Sequence, residues 1–165
     1  MTVKTGDVVP DFSAELSDGT SVSLYQLLKS GPIVLFFYPK AFTPGCTAQS
    51  CRFRDVSEEL GELGARPIGI SSDDPETLVS FDTKNRLGYA LISDSDGTIA
   101  KIFGAKRLGM PFARRMTFVI DKDARILEMI RDELDMDVHA NRALEVLRVH
   151  SASDLRIPEL EVESS

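Results

Sequence analysis

The sequence predicts an α/β protein, a central mixed β-sheet flanked by helices and preceded by an N-terminal β-hairpin. Three observations carry that expectation. Strand-like and helix-like segments alternate through the middle of the chain. Ile33-Val34-Leu35-Phe36-Phe37-Tyr38 is an unbroken apolar run of β-formers, as expected of a strand buried on both faces. Met116 to Ile120 and Ile126 to Ile130, joined by a turn around Lys122-Asp123, then read as a hairpin followed by a last helix. Segments in that order make a mixed sheet with helices on both faces.

Asp11 to Leu16 alternates loosely and meets Asp18-Gly19, a strong two-residue turn signal, so Thr20 to Val22 is the predicted return strand. Ser23 is placed to cap a short helix through Leu24, Leu27 and Leu28, closed by Gly31-Pro32. Pro39 stops the apolar strand. From Thr43 the pattern turns helical, with Phe53, Val56, Leu60 and Leu63 on one face and Gly64 as terminator. Pro67 to Ile70 is a second buried strand. Asp74-Pro75 reads as N-cap and first residue of another helix, with Leu78 and Phe81 inward; that cap accounts for the run Ser71-Ser72-Asp73-Asp74. Tyr89 to Ile92 is strand-like, Asp96-Gly97 a turn and Ile99 to Phe103 a short helix. The last helix is predicted over Val138 to Val149, and His139 at its start reads as a surface or capping residue.

The 165 residues fit one domain over 1–150, followed by a polar, acidic tail over 151–165. A net charge of −7 disfavours a nucleic-acid or anionic-membrane partner. No apolar run approaches the roughly 18 residues of a membrane span. Met1 to Ser13 lacks a basic start and an apolar core, so no secretory signal is visible and the expected location is cytoplasmic.

The two cysteines, Cys46 and Cys51, lie five residues apart. A structural disulfide is a poor reading, because the expected compartment is reducing and so short a loop stabilises little. With His139 and His150 they lack the paired spacings of a zinc site, and no glycine-rich phosphate loop is present, so no metal or cofactor is expected. Thr43-Pro44 sets Thr43 as N-cap and Pro44 as the first helical residue, which puts Cys46 in the first turn. Unpaired N–H groups and the positive end of the helix dipole favour a thiolate there. A small buried residue at a helix start is the competing reading.

At this stretch the chain resembles a known family. Pro39-x-x-x-Thr43-x-x-Cys46 is similar to the peroxiredoxin active-site pattern, with Cys46 in the place of the peroxidatic cysteine. A second cysteine five residues on, here Cys51, resembles the bacterioferritin-comigratory or PrxQ subfamily, where it resolves the first. The likeness continues at Arg115-Met116-Thr117-Phe118, an arginine three residues before the phenylalanine of a strand. It implies a thioredoxin-like fold and a thiol-dependent peroxidase reducing hydrogen peroxide and organic hydroperoxides. Cys46 would become a sulfenic acid, Cys51 would close an intramolecular disulfide, and thioredoxin or a similar dithiol protein would be the reductant. Monomer and weak homodimer are both compatible with it.

The resemblance also gives roles to other residues. Thr43 offers a hydroxyl, the backbone of Gly45 and Cys46 offers N–H groups, Pro39 shapes the loop and screens the sulfur, and Arg115 brings a guanidinium. A helix N-terminus contributes about 0.3–1 kcal/mol to a nearby anion, whereas a cation near 4 Å at an effective dielectric of about 20 approaches about 4 kcal/mol before desolvation. Arg115 should therefore dominate; without the family match it is one surface arginine beside Arg114. Phe42, Pro111 and Phe112 form either an apolar rim for organic hydroperoxides or core packing. Lys40 is expected to be solvated.

Two further functions compete. A thiol–disulfide oxidoreductase of the same fold is opposed by the C-x₄-C spacing and by Met116 before Thr117, where thioredoxins resemble one another in carrying a cis-proline. A non-enzymatic redox sensor or holdase would use the same disulfide switch.

Overall fold

The computed structural model describes residues 2–107, 109–110 and 112–164, with side chains as far as residue 152. Its core is a seven-stranded mixed sheet in the order β2-β1-β5-β4-β3-β6-β7. The N-terminal hairpin pairs β1 (Ser13–Leu16) with β2 (Ser21–Ser23), and the turn at Asp18-Gly19 is closed by the Thr20 carbonyl accepting from the Leu16 amide. Ser23 then caps α1 (Leu24–Leu28) through a reciprocal pair with Gln26.

β3 (Ile33–Phe37) is the central strand, parallel to β4 (Arg66–Ser71) and antiparallel to β6 (Met116–Ile120). Its side chains divide as alternation requires. Ile33, Leu35 and Phe37 join a core layer beneath α1 and α4 (Thr98–Phe103). Val34 and Phe36, with Tyr38 beyond the strand end, join the other layer, beneath α2 (Pro44–Glu62), α3 (Pro75–Asn85) and α5 (Met136–Ser164). Phe36 stacks on Phe53 of α2 with ring centroids 4.3 Å apart, which fixes that helix over β3.

Asp74 caps α3 by accepting from the Thr77 amide, and Leu78 and Phe81 are buried as the spacing predicts. β7 (Ile126–Arg131) completes the second hairpin on the sheet edge.

Several element ends shift by one or two residues, β1 for instance beginning at Ser13 rather than Asp11, and three differences have a visible cause. β5 is Leu91–Ser93 rather than Tyr89 to Ile92, because it pairs with β4 from Leu91 onward and Tyr89 turns toward α2. α5 begins at Met136, because Asp135 accepts from the amides of Asp137 and Val138 and so starts the helix early. It also runs past Val149, the stretch expected as a separate tail continuing it to Ser164. No glycine lies between those ends to supply a left-handed stop. Among the described residues, no helix is long and apolar enough to cross a membrane.

Candidate active site

The site forms where α2 begins, beyond the carboxyl end of β3. Thr43 is the N-cap and Pro44 the first helical residue, so Cys46 lies in the first turn as the spacing predicts. The Thr43 hydroxyl does not cap: it donates to the Lys40 carbonyl at 2.8 Å. The first intrahelical bond is donated by Thr47 to the Thr43 carbonyl, so the N–H groups of Gly45 and Cys46 have no partner within the helix. The missing cap leaves two donors beside the sulfur.

Cys46 is fully buried, packed among the apolar residues beneath α2. Arg115 reaches it from the residue before β6. Its Nη2 lies 3.5 Å from Cys46 Sγ and its Nη1 donates to Gln49 Oε1 at 2.6 Å. Arg115 is 6% exposed, so the surface reading fails and the cationic partner expected for Cys46 is in contact with it. Gln49 stands one turn after Cys46 on the same face of α2 and is itself fully buried. The Arg115 Nε–H and the Gln49 amide nitrogen are buried without a hydrogen-bond partner among the described residues.

Gly45 explains how the guanidinium comes so near. A Cβ at that position would meet Arg115 Nη2 at 3.1 Å and the sulfur of Met136 at 3.6 Å. The approach of Arg115 thus depends on a missing side chain.

The base of Arg115 is held as well. Glu133 accepts from its backbone amide at 3.3 Å and from Arg107 at 2.8 Å. His139 stands behind this layer, and the expectation of a surface or capping residue is wrong: it is fully buried. It lies one turn before the buried Ala143, on the side of α5 that faces the sheet. One ring nitrogen, Nε2, faces the Asp132 carbonyl at 2.8 Å, so it carries the proton; Nδ1 accepts from the Thr117 hydroxyl at 2.7 Å. Burial, reinforced by the charge of Arg115, lowers the His139 pKa below its ordinary value and favours that neutral ring.

Cys51 lies further along α2, half-buried, with Sγ 3.8 Å from Asn85 Oδ1. Both cysteines are free thiols. Five residues of α-helix advance about 7.5 Å and turn about 140°, which puts the two Cα atoms roughly 8.6 Å apart. The structure therefore brings Cys46, Arg115, Gly45 and Thr43 together and keeps Cys51 away.

Pro39 follows β3 and is half-buried at the same end of the sheet, while Lys40 is exposed. Phe42 is 45% exposed with φ +67°, packed edge-on against Phe81 and with Lys84 Nζ 5.8 Å from its ring centroid. Phe112 lines a small cavity of about 120 Å³ with Phe37, Met110 and Ala113. Pro111 lies outside the described residues. Gln49 and Glu133 escaped the sequence reading, and Gln49 left a signal in its three-residue spacing from Cys46; His139 is noted there but given a surface position. No cluster of three metal-ligating side chains occurs among the described residues.

Residues 5–129 match the model of the AhpC/TSA family. The chain is 36% identical over 155 residues to peroxiredoxin Bcp of Escherichia coli, covering 90% of this chain and 98% of that one. The crystal structure of peroxidoxin BcpB from Mycobacterium tuberculosis superposes with a TM-score of 0.85 at 48% identity, covering 89% of this chain and 97% of that one. A structure of the bacterioferritin comigratory protein of Xanthomonas campestris, described for its alkyl peroxide reduction activity, gives 0.77 at 26% identity, covering 85% and 92%.

Proposed function

The chain belongs to the AhpC/TSA family and is a thiol-dependent peroxidase, a peroxiredoxin of the Bcp and PrxQ kind; from that premise we propose that Cys46 attacks the peroxide and Cys51 resolves it. Its fold is thioredoxin-like. The observation that carries the assignment of Cys46 is the Arg115 guanidinium 3.5 Å from a buried sulfur.

The thiolate of Cys46 attacks the terminal, hydrogen-bearing oxygen of a hydroperoxide, forming the S–O bond of the sulfenic acid as the O–O bond breaks. Negative charge moves to the departing alkoxide or hydroxide, which takes up a proton to leave as alcohol or water. Arg115 stabilises the thiolate beforehand and the leaving oxygen afterwards, without moving. Its unpartnered Nε–H, the Gln49 amide and the N–H groups of Gly45 and Cys46 are the donors available to the peroxide oxygens. Because the Thr43 hydroxyl donates its hydrogen bond to the Lys40 carbonyl, its oxygen serves as the acceptor for the substrate O–H. Pro39 and Phe42 shape the approach.

Cys51 then attacks Cys46 sulfenic acid: the S–S bond forms, the S–O bond breaks and water leaves with the Cys51 proton. A thioredoxin-like dithiol returns both sulfurs to thiols. The cytosol supplies such a reductant, and a monomer or weak homodimer suffices, since both cysteines lie on one helix. The Xanthomonas relative's reduction of alkyl peroxides supports organic hydroperoxides as substrates beside hydrogen peroxide.

Turnover of hydrogen peroxide and cumene hydroperoxide with thioredoxin, glutaredoxin and glutathione as separate reductants tests the proposal. Thioredoxin-linked turnover of both peroxides is expected. Insulin reduction without peroxide turnover would point to the thiol–disulfide oxidoreductase instead.

A further inference from the structure

A disulfide needs its Cα atoms about 4.4–6.8 Å apart, closer than the helix allows, so resolution must unwind part of α2. What holds that part closed is visible on the Cys51 side. Three contacts join α2 to Asn85, the last residue of α3, and to the four-residue hook over 86–89 that follows it. Tyr89 donates its hydroxyl to the Ser50 carbonyl at 2.8 Å, Arg54 Nη1 donates to the Asn85 carbonyl at 2.7 Å, and the Cys51 thiol meets Asn85 Oδ1 at 3.8 Å. The hook is shaped by left-handed residues at Arg86 and Gly88, and the Tyr89 ring is seated edge-on against Phe36 of the central strand.

Of these contacts, the Tyr89 bond falls directly between the two sulfurs. The Ser50 carbonyl already accepts the helical bond of Arg54, and its second lone pair takes the phenol. Unwinding through Cys51 turns that carbonyl away, so the Tyr89 bond breaks each time the helix opens. The Arg54 contact lies beyond Cys51 and can survive the opening. Ser50 is fully buried and Tyr89 half-buried, so the carbonyl end of the bond is shielded from competing water.

We propose that Tyr89 is a positioning residue for the resolution step, a latch whose hydroxyl holds the Cys46–Cys51 segment helical and sets how often Cys51 reaches the Cys46 sulfenic acid. The inference rests on the resolving role proposed for Cys51. A tighter latch lengthens the life of the sulfenic acid, during which a second peroxide oxidises it to sulfinic acid with loss of one water or alcohol. The Tyr89 hydroxyl therefore also sets sensitivity to excess peroxide.

Tyr89→Phe keeps the ring and removes only the hydroxyl. One hydrogen bond's net worth corresponds to disulfide closure faster by about threefold to tenfold. Rapid quenching with hydrogen peroxide, thiol labelling and mass spectrometry would follow the Cys46 sulfenic acid, the Cys46–Cys51 disulfide and the sulfinic acid separately. The expected result is an unchanged first oxidation, faster disulfide closure, and a higher peroxide concentration for half conversion to sulfinic acid. Tyr25→Phe is the control, because its hydroxyl donates to the Val9 carbonyl at 2.8 Å, outside these contacts. It should leave closure unchanged. Closure at the wild-type rate in Tyr89→Phe, or equal acceleration in Tyr25→Phe, would overturn the latch while leaving Cys51 as the resolving thiol. A wild-type protein that forms no Cys46–Cys51 disulfide would overturn the resolving role and the latch with it.

Discussion

Cys46 and Cys51 share one helix and occupy opposite kinds of environment. Cys46 is fully buried, with a guanidinium at 3.5 Å and unpaired donors around it, all held from β6, α2 and the turn before α5. Cys51 is half-buried beside an amide oxygen, and its neighbours pin the helix rather than serve the sulfur. The first thiol is finished for chemistry in the folded state; the second is stored, and reacts when the fold opens. Preorganisation serves attack on a small substrate, whereas resolution requires controlled loss of order.

The largest effect should come from separating the two sulfurs. Cys46→Ser is expected to abolish peroxide consumption. Cys51→Ser should retain the initial oxidation at the wild-type rate, lose thioredoxin-linked turnover, and accumulate sulfinic acid under excess peroxide. Equal loss of the initial burst in both variants would erase the contrast.

Next in size is the cation. Arg115→Ala should slow the first oxidation by about 10²–10³-fold, the loss typical of one preorganised donor, and leave Gln49 Oε1 buried without its partner. Competition kinetics against a peroxidase of known rate would measure it. Circular dichroism should show the fold retained.

A subtler crowding follows from Gly45→Ala. The residue is not in a left-handed conformation, and alanine is a better helix former, so the helix itself should tolerate the change. The new Cβ would push Arg115 Nη2 by a few tenths of an ångström. The first oxidation should slow about tenfold while closure of the disulfide is unaffected. A slower closure with normal attack would reverse the roles given to the two ends.

The smallest effect concerns His139, behind the Arg115 layer. Its pKa is lowered in the folded protein by burial first, and further by the charge of Arg115, against the raising influence of Asp132 and Glu133. Above the unfolded value of about 6.5 the ring is neutral in both states and contributes no pH dependence. As the pH falls below it, the unfolded chain takes up the proton first, so the stability present above that value is lost toward the folded pKa. Urea midpoints at pH 7.5 and 5.5 should therefore differ more in the wild type than in His139→Gln.

Local chemistry made much of this molecule legible. The apolar run at Ile33, the turn at Asp18-Gly19 and the Asp74-Pro75 cap each act within a few residues, and the structure has them where the pattern predicts. The placement of Cys46 in the first turn followed from Thr43-Pro44 in the same way. The pairing of β1 with β5 joins strands some 76 residues apart, Leu16 opposite Ile92, and no local signal states it. His139 was misread because its burial depends on distant partners, the Thr117 hydroxyl of β6 and the Asp132 carbonyl, which no local pattern states. The Thr43 hydroxyl marks the same limit: its position was readable, its choice of Lys40 over the helix end was not.

The contrast between the two thiols comes to a single measurement. Amide hydrogen exchange over Pro44 to Arg54 should be compared between the reduced protein and the protein oxidised with one equivalent of peroxide, the Cys46–Cys51 bond being verified by mass spectrometry. The account predicts faster exchange there in the oxidised form, with a matching loss of helical circular dichroism, because the disulfide does not fit the intact helix. A verified disulfide with unchanged protection of these amides would contradict it.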